Sequence, residues 1–151
     1  TLSSSSAASD VYKRQMQPPM GPNRQQGADP LVDISPGHRS RLEVEVVEHL
    51  RMRVPPDKRR AWVAAERGSW DPWLREQKGY LGRDIYWDPK QEEGVLLIHW
   101  ASRAAWDAIS QAEVGRVQEC FEHLARQALG EPEGNPFPLV HSGCLQPMGW
   151  N

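Results

Sequence analysis

The sequence predicts an α+β domain whose elements run β-α-β-β-α-β, and three patterns carry that prediction. Residues 42–54 alternate apolar and polar side chains with a period of two, the signature of a strand with one buried face. Val95-Leu96-Leu97-Ile98 is a run of four aliphatics just after a turn-like segment. Val114, Val117, Phe121, Leu124 and Ala128 recur at spacings of three and four, one stripe along a helix.

In chain order, the first strand places Leu42, Val44, Val46, Glu48, Leu50, Met52 and Val54 on one face, and Glu43, Glu45, Val47, His49, Arg51 and Arg53 on the other. Pro55-Pro56 ends it, since proline lacks the N–H a strand ladder needs. Asp57 is positioned to cap a helix running through Trp62 and Ala65 towards Gln77. Pro72 interrupts that helix, either as a kink or as the first residue of a second short helix capped by Asp71. Gly79 and Gly82 bracket a break before a second strand, Arg83 to Trp87, and Asp88 to Gly94 has the composition of a hairpin turn. Gly94 to Trp100 is the third strand, and its four aliphatics predict burial on both faces.

Ser102 then caps a short helix holding Ala105, Trp106 and Ile109, and Ser110 with Glu113 forms a capping box for the long helix, which Gly130 closes. Phe137 to Leu145 is a weaker fourth strand at a proline-rich margin. This order is the ferredoxin-like arrangement of two split βαβ halves on one antiparallel sheet. Its helices cover one face, so the other calls for water or a partner, and the apolar third strand favours a partner related by two-fold symmetry.

Composition narrows the classes of function. The chain has 151 residues, 38% of them apolar, 25% charged, with a formal net charge of −2, the arithmetic of one soluble globular domain. No apolar run approaches the roughly 18 residues of a membrane helix. Eighteen basic against 20 acidic residues leave no excess to hold a phosphate backbone, so neither membrane nor nucleic acid is an expected partner. Cys120 and Cys144 have no CxxC or metal-ligand spacing and read as thiols of a reducing compartment, which points to the cytoplasm. No phosphate loop, HExxH or GxGxxG is present, and no metal or cofactor is implied.

The folded part is expected to be residues 41–147, followed by a tail of residues 148–151. Ser5 to Gln15 reads as the translation of a transposon-type sequencing-library adapter, so residues 1–15 are expected to be an artefact, and a targeting signal upstream of Met16 would lie outside the sequence. Residues 16–40 carry five prolines and no aromatic residue and are expected to be a disordered tail.

Val54-Pro55-Pro56, Gly79-Tyr80-Leu81-Gly82-Arg83-Asp84-Ile85-Tyr86-Trp87 and Trp100-Ala101-Ser102-Arg103-Ala104-Ala105-Trp106 together resemble the antibiotic-biosynthesis-monooxygenase-like domains. Within them, the pattern is most similar to a family of unassigned function described mainly from cyanobacteria. Lys78 stands where that pattern has proline. The resemblance implies a dimeric α+β barrel, a homodimer with a pocket between sheet and helices, and no particular reaction. Haem-degrading members have a tryptophan that Trp100 would match and an iron-ligating histidine ten residues later, where this chain has Ser110. Haem is therefore not an expected ligand.

Two residues are candidates for proton transfer. Glu48 is the one charge on the apolar face of the first strand, and a buried carboxyl has a raised pKa suited to a general base or to a structural pairing. His99, between Ile98 and Trp100, is either a proton-transfer group or a hydrogen-bonded core residue. Tyr86, Trp87, Trp100 and Trp106 are candidates to line a pocket for a flat hydrophobic aromatic molecule, or to be core. Two readings stay open: a cofactor-independent monooxygenase, and a non-catalytic homodimeric binding or stress-associated module.

Overall fold

In the computed structural model, residues 44–149 are described. The adapter-like segment, the proline-rich tail and the predicted strand start at Leu42 lie outside them. Strand β1 is Val46–Arg53, β2 Tyr80–Asp88, β3 Glu93–Trp100 and β4 Leu139–Leu145; the helices are α1 Arg59–Gly68, α2 Trp70–Arg75, α3 Arg103–Asp107 and α4 Gln111–Leu129. The four strands form one antiparallel sheet in the order β2-β3-β1-β4. The alternating α+β order matches the pattern read from the sequence. No helix among the described residues is long and apolar enough to cross a membrane.

The period of two sorts β1 cleanly. Val46, Glu48, Leu50 and Met52 are buried on the face that also receives Leu96, Ile98 and Trp100 from β3, Trp62 and Ala65 from α1, and Phe121 and Ala125 from α4. On the opposite, open face stand Val47, His49, Arg51 and Arg53 of β1, with Val95, Leu97 and His99 of β3. Val95 lies in register between Arg51 and Tyr86 and is buried, whereas Leu97 is only half-buried. The expectation that β3 is buried on both faces therefore holds over part of its length.

Gly94 lets helix α1 approach the sheet closely. Its register partner is Met52, whose sulfur accepts the Trp62 indole N–H at 3.1 Å, and a Cβ at Gly94 would lie under 3.0 Å from three atoms of that indole. The bare backbone leaves room for the fully buried Trp62 indole against the hairpin. In the β2–β3 turn, Asp88 Oδ1 accepts the N–H groups of Lys90 and Gln91, which fixes the loop the composition foretold.

Several local expectations need correction. Asp57 does not cap α1: Pro56–Lys58 forms a 3-10 turn, and no side chain closes a cap at Lys58. The interrupted helix breaks at Ser69, not Asp71. Ser69 donates its hydroxyl to Ala65 O at 2.6 Å, and α2 starts at Trp70 with Pro72 inside its first turn, where a missing N–H costs no helical bond. Asp71 is drawn instead into an ion pair with Arg83. On α4, Ser110 caps as expected, accepting Glu113 N–H, and Gly130 closes the helix in the left-handed region. The buried face, however, is Val114, Gly115, Gln118, Phe121, Glu122 and Ala125, and Ala128 is exposed.

Candidate functional site

β1 carries Glu48 into the interior, opposite Ile98 on one side and Cys144 on the other. The side chain is fully buried, at 1% exposure. Its Oε2 accepts the Trp100 indole N–H at 3.4 Å, a long bond, and its Oε1 has no hydrogen-bond partner among the described residues. Burial disfavours the charged form and pushes the carboxyl up to about 7, against the opposing pull of the Trp100 and Trp106 indoles. The chain therefore holds a buried carboxyl raised towards neutrality, with Oε2 bonded to Trp100 and the Trp106 indole also acting on it.

That carboxyl lines a cavity between sheet and helices, walled also by Trp70, Trp73 and Leu74 of α2, Gln118 and Phe121 of α4, and Phe137 before β4. The enclosed space is about 20 Å³, room for roughly one water molecule. The Trp73 indole N–H is also buried without a hydrogen-bond partner. Two polar groups thus face an interior that the chain itself satisfies only in part, and each such group carries a desolvation cost of about 1–3 kcal/mol.

Glu66 and Arg83 complete the wall. Arg83, from β2, places Nη1 2.6 Å from Glu66 Oε2 of α1, and Nη2 2.6 Å from Asp71 Oδ1 of α2. Burial acts to lower the Arg83 pKa, but the two carboxylates outweigh it and raise it. Burial raises the Glu66 carboxyl, and Arg83 holds back part of that rise. A buried cation shared by two acids fastens α1, α2 and the edge strand β2 together.

None of the other candidates lines that cavity. Trp100 and Trp106 stay beside Glu48, Trp100 fully buried and Trp106, on α3, buried beneath Arg103. Trp87 sits at the far end of β2, donating its indole N–H to Val54 O at 3.0 Å while Arg59 lies 4.4 Å over its ring. Tyr86 is 55% exposed and points to the open face. His99 is on that face too, with Nε2 3.1 Å from Asp84 Oδ2. Glu48 and His99 are therefore on opposite sides of the sheet and do not meet within one chain. The wall residues absent from the sequence reading are Trp70, Trp73, Glu66, Arg83 and Gln118. A signal for two of them existed: Glu66 falls four residues after Trp62, and Gln118 four after Val114, so each shares its helix's buried face.

This architecture has a known counterpart. The crystal structure of a monooxygenase from the gene ActVA-Orf6 of Streptomyces coelicolor, in complex with nanaomycin D, is 22% identical, with a TM-score of 0.52 over 73% of this chain and 93% of that one. Rv0793 from Mycobacterium tuberculosis is 25% identical over 70% of this chain and 96% of that one, with a TM-score of 0.41. The first likeness concerns the fold. No curated protein matches the chain. The family model described as antibiotic biosynthesis monooxygenase matches residues 45–128, more than half of the sequence, and the chain belongs to that family.

Proposed function

We propose that the chain binds a hydrophobic aromatic small molecule in the cavity between sheet and helices and acts on it as a cofactor-independent monooxygenase, with Glu48 as the proton acceptor. The observation that carries this reading is the fully buried Glu48 carboxyl, held at about 7, with Oε1 unengaged at a cavity walled by Trp70 and Trp73. A phenolic ring fits that chemistry. Glu48 takes the phenolic proton as the electron-rich phenolate meets O2. One oxygen atom becomes the second carbonyl of a quinone, and the other leaves as water with that proton and the ring hydrogen. Trp100 orients the carboxylate through Oε2. His99 stays outside the reaction, because it stands on the other face of the sheet.

The homodimer belongs to the same proposal. Val47, Leu97, Tyr86 and Leu145 give the open face an apolar character that a second copy would cover. Light scattering on the full chain tests it, and a monomer at micromolar concentration refutes it.

The small enclosed volume favours a second reading, a non-catalytic binding module whose tryptophans are mainly packing. Titration with 1-naphthol, following tryptophan fluorescence and oxygen uptake together, separates the two. The enzyme reading expects quenching, oxygen uptake matched by quinone formation, and a turnover loss of about 10²-fold or more in Glu48→Gln with binding retained. Quenching without uptake favours the module. Neither signal, across a panel of naphthols and anthrols, overturns the pocket.

A further inference from the structure

On the side of the sheet away from the cavity, two imidazoles lie together. His49 is central on β1, paired in register with Leu97 of β3 and Gly143 of β4. His141 of β4 pairs with Arg51, one pleat along from His49, and the two rings lie with centroids 4.8 Å apart at 55°. Among the described residues neither ring makes a hydrogen bond.

Gly143 explains why the rings meet. A Cβ at that position would lie 3.3 Å from His141 Nε2 and 3.7 Å from its Cε1, so the imidazole leans along β4 over bare backbone towards the residue Gly143 faces, His49. Arg51, the register partner of His141, has its charge partly balanced by two carboxylates, with Nη1 2.8 Å from Glu93 Oε2 and 3.3 Å from Asp88 Oδ2.

We propose that His49 and His141 form a two-imidazole chelate for a late first-row divalent cation, Zn²⁺ or Cu²⁺, on the open face of the sheet. Imidazole nitrogen is a preferred ligand of these ions. Two imidazoles bound to one tetrahedral zinc at Zn–N of about 2.0–2.1 Å have ring centres about 5 Å apart, and the rings here already stand at 4.8 Å. No third histidine, cysteine or carboxylate joins the pair among the described residues, so water, or the same pair of a second copy, completes the coordination. The site is independent of the cavity and of the reaction proposed for it.

The test is calorimetric titration of the tag-free full chain with Zn²⁺, alongside NMR of its histidine ring protons with trace Cu²⁺. The wild type is expected to bind one ion per chain, or one per two chains, and trace Cu²⁺ to broaden the His49 and His141 signals ahead of those of His123. His49→Gln and His141→Gln, both on the open face of the sheet, are expected to weaken binding by about tenfold or more, a difference of about 1.4 kcal/mol. Gly143→Ala is expected to weaken it with both ligands intact. No binding by the wild type, variants that bind like the wild type, or equal broadening of His123 would each overturn the proposal.

Discussion

Replacing Glu48 with glutamine removes one titration and keeps the shape of the side chain. In the folded chain the carboxyl is held at about 7, against 4.5 for an ordinary glutamate. An acid whose folded pKa is raised binds its proton more tightly in the native state, so its contribution is fully present below 4.5 and declines as pH rises to about 7. At about 1.4 kcal/mol per decade, the fold loses about 3 kcal/mol across that window. Above the window the loss is complete and flat. In urea unfolding with a slope of about 1–2 kcal/mol per molar, the wild-type midpoint should fall by about 2 M relative to Glu48→Gln between pH 4.5 and 8. Taking the difference between the two proteins cancels other titrations, notably the Glu66 carboxyl, raised mainly by burial, and Asp88, lowered by hydrogen bonds from its turn. A difference constant within about 0.5 kcal/mol over that range would mean that Glu48 is ordinarily solvated, and the base assigned to the cavity would go with it.

Three other perturbations follow from the packing. Gly94→Ala forces a Cβ into the Trp62 indole and should cost about 1–3 kcal/mol, lowering Tm by about 10 °C in calorimetry; an unchanged Tm would show that the indole has room to move. Arg83→Met strands the buried Glu66 and should cost about 3–5 kcal/mol by urea unfolding, with Glu66→Leu added to it restoring a part; additive losses would exclude coupling. Ser110→Ala removes the cap that accepts Glu113 N–H and should cost about 1 kcal/mol, read as a lower helix-melting midpoint by circular dichroism.

How far the fold was legible depended on whether local pattern or distant charge decided it. The period of two in β1 and the caps at Ser102 and Ser110 are short-range and survive into the structure. Four of the five residues in the α4 stripe do face the core, Val114 and Phe121 fully and Val117 and Leu124 at its margin, while Ala128 is exposed. Gln118 and Glu122 hold buried positions beside them that a hydrophobic pattern does not reveal. Asp71 reads as a cap because aspartate before proline so often is one, but a buried guanidinium twelve residues on outcompetes the backbone N–H groups. Of the site, Glu48 was legible as a charge out of phase with its face. Arg83 was not, because nothing near it in sequence reveals that two acids from separate helices converge on it.

The fastening of Arg83 also divides the cavity wall by stiffness. On one side α1, α2 and β2 are tied through a single guanidinium, and shifting any of them separates buried charges. On the other, Phe121 meets Phe137 across 6.2 Å between ring centres, and the approach to β4 is held by the Phe137 N–H donated to Asn135 Oδ1. Ring contacts slide at little cost where ion pairs do not. A shift at the Phe137 margin would therefore break no buried ion pair, whereas one on the α1, α2 and β2 side would.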